Sequence, residues 1–210
     1  NLLIVSEIPS NIINVIKHLK GEHINAPPKL LKHKDKKRFQ QFIPNKRNAL
    51  LILPRYDHSL QRSIIEVINL NNFKVIHTYK HDIAKMNAQV KNIQEFTRLK
   101  IDTHPVRFRY FHPLILNDGS IISEGTYSVL HKIDFCSNLM WINDQETFHH
   151  SKMFDHDGNI WVAGKMSPQS EYVKKYMLED YVDDSIIKIN IDGKILFNKS
   201  VTEILIENKI

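Results

Sequence analysis

Histidine is the side chain whose placement in this sequence invites a chemical reading. There are 12 in 210 residues. Near neutral pH an imidazole can act as nucleophile, as general acid or base, or as a metal ligand. His112 opens the segment His112-Pro113-Leu114-Ile115-Leu116-Asn117-Asp118-Gly119-Ser120-Ile121-Ile122. The pair His149-His150 opens a similar one, continuing Ser151-Lys152-Met153-Phe154-Asp155-His156-Asp157-Gly158-Asn159-Ile160-Trp161-Val162 and one residue longer before its Asp-Gly. A lone histidine is more often a structural residue. Histidines at corresponding places in a repeated unit converge if the units are arrayed about one axis.

Each segment reads as a β-hairpin, because Asp-Gly supplies the positive φ that a tight turn between strands demands. A second hairpin type follows each of them. Ile133-Asp134-Phe135-Cys136-Ser137-Asn138-Leu139-Met140-Trp141 matches Ile189-Asn190-Ile191-Asp192-Gly193-Lys194-Ile195-Leu196-Phe197 in class at every position. Ile68-Asn69-Leu70-Asn71-Asn72, leading to Lys74-Val75-Ile76 with Phe73 as an extra residue, is a third copy. Two successive hairpins make a four-stranded antiparallel sheet, and tandem sheets of about 40–50 residues are the pattern of β-propeller blades.

The expectation is therefore an all-β chain, with about three four-stranded blades over residues 47–210. A single β-sandwich with coincidental turn spacing is the plain alternative. The innermost strand of each blade lines a propeller's channel, which would gather His112, His149 and His150 there. Closed propellers use about four to eight blades. Closure is thus expected from further blades of a larger protein or from a second copy of the chain.

Residues 1–46 read differently. Pro9-Ser10, the apolar positions Ile12, Ile13, Val15, Ile16 and Leu19, and Gly21 outline a short capped helix. After Pro27-Pro28, residues 29–38 carry Lys29, Lys32, Lys34, Lys36, Lys37 and Arg38 against a single Asp35. Such a run is ordinarily a solvated face. Only Phe39 and Phe42 stand near it for base stacking, so no nucleic-acid partner is expected. Residues 167–183, with Tyr172, Tyr176 and Tyr181, interrupt the third sheet as a loop or helical insertion. Trp141 and Trp161 at hairpin ends read as sheet-packing residues.

Composition sets outer bounds. Hydrophobic residues at 42% and charged residues at 25% are the balance of a globular chain rather than a disordered one. No apolar run approaches the roughly 18 residues that span a bilayer. A chain opening at Asn1 leaves room for a targeting segment or membrane anchor upstream. The single Cys136 excludes an intramolecular disulfide and a cysteine-built zinc cage. A net charge of +6 favours acidic partners such as phosphate or sulfate.

Phe148-His149-His150 followed by Asp157-Gly158-Asn159-Ile160-Trp161-Val162 resembles the His-His…Asx-Gly-Asn motif of arylsulfotransferase-like proteins. Tyr110-Phe111-His112 with Asp118-Gly119-Ser120-Ile121-Ile122 resembles the preceding copy. Ala49-Leu50-Leu51-Ile52, Val67-Ile68-Asn69 and Val75-Ile76-His77-Thr78-Tyr79 are similar to that family's first blade. The resemblance covers about residues 47–210. It implies a six-bladed, exported or periplasmic propeller that moves a sulfuryl group from a phenolic sulfate to a phenol acceptor, with no cofactor or nucleotide donor. It implies a transiently sulfated channel histidine, with His112, His149 and His150 as candidates. Arg107 or Arg109 would bind sulfate, since a guanidinium matches an oxyanion bidentately. The disulfide of some members has no counterpart here.

Two other readings stand beside it. His149, His150 and His156, with Asp155 and Asp157, contain enough nitrogen and oxygen ligands for zinc or manganese. Against that, neighbours on a strand face opposite ways and the aspartates belong to a turn, so no metal is expected. The other is a non-catalytic propeller that holds an anionic carbohydrate or a protein partner at the channel mouth or the insertion. A homo-oligomer is compatible with each reading. The carboxylate pairs Glu179-Asp180 and Asp183-Asp184 read as solvated charge at the insertion's edge. No glycine-rich phosphate loop or nucleophile elbow is present.

Overall fold

The computed structural model describes residues 39, 41–93, 96, 99, 105–125, 128–176 and 181–210, with the side chain of Tyr176 excepted. The expected N-terminal helix, the basic run 29–38 and Glu179-Asp180 lie outside the described residues.

Among these residues the chain is all-β, with three antiparallel sheets and a few short helices. Strands β1 (Leu50–Asp57), β2 (Arg62–Asn69) and β3 (Val75–Tyr79) form the first sheet. The second is β4 (Tyr110–Ile115), β5 (Ile121–Gly125), β6 (Leu130–Ile133) and β7 (Leu139–Asn143). The third is β8 (Thr147–Phe154), β9 (Ile160–Lys165), β10 (Asp184–Ile189) and β11 (Ile195–Ser200). Each is a meander in chain order. The helices are α1 (Ile83–Asn87), α2 (Glu171–Tyr176) within the expected insertion, and α3 (Val201–Glu207).

Turn chemistry explains why the strands end where they do. Asp118 Oδ1 accepts from the Ser120 amide at 2.9 Å, and Asn190 Oδ1 from the Lys194 amide at 2.8 Å. The adjoining Gly119 and Gly193 take φ of 77° and 81°. Where the second hairpin type lacks glycine, Ser137 and Phe73 occupy the left-handed region instead, at 71° and 55°.

A shared register irregularity aligns the sheets. It follows Ile68↔Val75 in the first, Ile133↔Leu139 in the second and Ile189↔Ile195 in the third. Thus β2–β3 corresponds to β6–β7 and β10–β11, and β1 corresponds to β5 and β9. The expected four-stranded sheet appears twice; the first sheet has three strands, with no counterpart of β4 or β8 among the described residues. The reason is in the sequence, since no His-bearing Asp-Gly hairpin precedes β1.

Period-two alternation sends Ile121 into one core and Ile122 into another. Ile121 joins Ile65, Val67, Tyr79, Phe108, Tyr110 and Ile133 between the first two sheets. Ile122 joins Leu130, Phe148, Ile160, Val162 and Ile187 between the second and third. Burying side chains of this size is worth about 1.5–3 kcal/mol each. Three sheets stacked in series with two cores rule out the single sandwich. Polar contacts repeat as well: His77 Nε2 donates to the Phe135 carbonyl at 2.8 Å, and Trp141 Nε1 donates to the Ile191 carbonyl at 3.2 Å. His77 and Trp141 hold the same register position, as do their acceptors, so the third sheet sits on the second as the second sits on the first.

Candidate functional site

Strands β4 and β8 are the first strands of their sheets, each at an edge, and they pack on one another; β4 also packs on β1. Both carry an irregularity where the histidines fall. In β4 the pairing passes from Phe111↔Glu124 to Leu114↔Ile122, and in β8 from His149↔Ala163 to Lys152↔Val162. The residue that opens each bulge is left-handed: His112 at φ 41° and His150 at φ 63°. For a residue with a Cβ this costs about 1–2 kcal/mol. Both histidines are exposed.

Register therefore pairs His112 with His150, and His149 with Phe111. The sequence pattern left His149 and His150 open as partners. The expectation that the two adjacent histidines face opposite ways fails, because left-handed backbone at His150 turns its ring back. The two rings meet edge-on, with centroids 4.5 Å apart and an interplanar angle of 82°. His149 Nε2 also lies 3.3 Å from Asp184 Oδ1.

The β8 bulge is one residue longer than that of β4, and the additional residue is Lys152. Its side chain is 0% exposed and ion-pairs with Glu124 of β5, which is 2% exposed. Lys152 Nζ also donates to the backbone carbonyl of His112 at 3.2 Å. Burial pushes the Glu124 carboxyl up and the Lys152 ammonium down, and each is opposed by the other's charge. Sequence reasoning missed this pair. Two signals were there: Lys152 is the insertion in the repeat, and Glu124 interrupts an apolar strand.

The remaining candidates fall elsewhere. Arg107 is exposed and Arg109 half-buried in the segment entering β4. Arg109 Nε is buried without a hydrogen-bond partner. Asp155 is spent on its turn and on Lys188, the latter at 2.6 Å. Among the described residues no three His, Cys, Asp or Glu side chains gather to hold a metal ion. Tyr181 bonds Thr202 of α3 at 2.9 Å. Trp161 packs edge-on against Phe197 at 5.7 Å. Asp183 corrects an expectation: it is buried at 0% exposure rather than solvated, because the Met166 amide bonds its carbonyl and closes the base of the insertion.

No curated protein matches the chain. A family model described as Arylsulfotransferase (ASST) matches residues 112–210. That stretch begins at His112 itself and takes in both histidine bulges, Glu124, Lys152 and the whole third sheet. Over these residues the resemblance read from the sequence holds, and this part of the chain is similar to the arylsulfotransferase family.

Proposed function

We propose that the three sheets are successive blades of an exported or periplasmic propeller, closed by further blades or by a second copy, that transfers sulfuryl groups between phenols. The observation that carries this is the placement of His112 and His150 in equivalent left-handed bulges on packed first strands, within the family-matched stretch.

The chemistry follows from imidazole. A neutral ring nitrogen of His112, His149 or His150 attacks the sulfur of an aryl sulfate. The S–N bond forms as the S–O bond to the ring breaks, and the phenolate leaves with the electron pair. A second phenol then attacks sulfur as the S–N bond breaks, its proton passes to the imidazole nitrogen that the bond's electron pair has returned to, and it departs as the new sulfate ester. The imidazolium then gives that proton to the phenolate released in the first step. This splits one difficult displacement into two easier ones and gives ping-pong kinetics. The histidines that do not attack donate hydrogen bonds to the equatorial oxygens, together with Arg107 or Arg109 once the remaining blades are in place. No cofactor takes part.

The test uses full-length protein with p-nitrophenyl sulfate and a phenol acceptor, reading nitrophenol release. Replacing the nucleophile by Asn, in His112→Asn, His149→Asn or His150→Asn, should cost at least about 10²-fold in turnover. Turnover unchanged in all three variants overturns the histidine mechanism. No release across a panel of acceptors favours a non-catalytic propeller that binds anionic carbohydrate or protein.

A further inference from the structure

Lys152 stands where an apolar residue would serve the fold better. The position faces the core that holds Ile122, Leu130 and Phe148. Exchanging a buried ion pair for apolar side chains of similar volume is often neutral or stabilising. Packing therefore does not account for a fully buried lysine, nor for a carboxylate whose Oε1 has no hydrogen-bond partner.

What the pair does is tie three separate pieces together. Lys152 belongs to the bulge that carries His150, Glu124 lies on β5 opposite Phe111, and the carbonyl that Lys152 holds belongs to His112. The β4 bulge has no such residue of its own. Ser123, the counterpart of Val162, instead donates to the Phe111 carbonyl at 2.9 Å. The left-handed His112 is thus held from the next sheet by the one residue that β8 has in excess.

We propose that Glu124 and Lys152 are positioning residues that lock the His112 bulge in its left-handed form and fix its ring relative to His150, so that both address one ligand. This rests on reading the two histidines as the site. Neither residue touches the ligand. Glu124 holds Lys152 charged and aimed, and Lys152 holds the carbonyl.

The test compares the full chain with Lys152→Met and with the double variant Glu124→Leu/Lys152→Met, which leaves no lone buried charge. The Cα and Cβ chemical shifts of His112 and His150 report left-handed backbone directly and need no activity. The proposal expects the double variant to fold, with the left-handed signature lost at His112 and kept at His150. With p-nitrophenyl sulfate it expects kcat to fall at least tenfold and KM to stay within about twofold, as for a misaligned nucleophile. Unchanged His112 shifts in the folded double variant overturn it. So does a double variant that cannot fold, which would make the pair a packing element. If the wild-type chain transfers no sulfate, the transfer reading fails while the His112 shifts still decide this one.

Discussion

His81 and His131 stack across the interface of the first two sheets, with ring centroids 6.0 Å apart and planes inclined by 24°. Each donates through Nδ1 to one carbonyl, Ser137 at 3.1 Å and Val129 at 3.2 Å. The Nε2 atoms of both are buried without partners. Burial holds both imidazoles below their usual range, His131 at about 3.

A pH dependence of stability follows. The folded chain excludes a proton from His131 that the unfolded chain accepts near pH 6.5, so this contribution is complete above pH 6.5 and is lost as pH falls toward 3. His131 should lower stability by up to about 1.4 kcal/mol per pH unit across that window, and His81, shifted in the same direction, adds to the slope below pH 6.5. Denaturant midpoints at pH 7, 6, 5 and 4 check this, and His131→Leu should remove one histidine's share of the slope.

Glycine at the bulges separates stability from chemistry. His112→Gly and His150→Gly remove the cost of a left-handed side chain, about 1–2 kcal/mol, against an entropic loss of about 0.5–1 kcal/mol. Each glycine variant should melt above the corresponding alanine variant, while neither restores transfer. Thermal melts beside the nitrophenol assay read both.

Gly125 and Gly164 face Tyr110 and Phe148, the residues two before the bulge histidines. A Cβ at Gly125 would overlap the Phe108 ring, and one at Gly164 would overlap the tip of Ile187. Overpacking of this kind costs about 1–3 kcal/mol. Gly125→Ala should fall at the upper end, since a wedged ring yields less than a methyl terminus. Urea unfolding midpoints distinguish the two.

The bonds from His77 to Phe135 and from Trp141 to Ile191 are the same link at successive interfaces. Trp141→Phe should cost about 1 kcal/mol for the hydrogen bond, plus the packing of the lost ring. His77→Phe should cost a similar amount for its bond. If the interfaces are independent the double variant should be additive within about 0.5 kcal/mol, which chemical denaturation checks.

The hairpins were legible because their turns are made by local chemistry. Asp118, Asp134, Asp155 and Asn190 each bind amides within a few residues, so spacing alone reveals them. The likeness of His112 to one of the pair His149-His150 was legible for the same reason. Which one it matched was not, because a class pattern does not register left-handed backbone. Glu124 and Lys152 belong to different sheets, and no local rule links residues that meet only after the sheets stack. Asp183 looked solvated beside Asp184, yet it is fully buried where its carbonyl accepts from the Met166 amide. That the first sheet has three strands among the described residues was hidden by a good second hairpin at Ile68.

The two bulges differ by one residue, yet beyond them Leu114 and Met153 resume the same pairing, as do Ile115 and Phe154. An inserted residue is thus absorbed where it enters and does not slip the rest of the strand onto the wrong face. Sheets built this way can differ at their first strand by one amino acid while the strands beyond keep a common pairing. A lineage can in this manner rewrite what it binds without renegotiating how it folds.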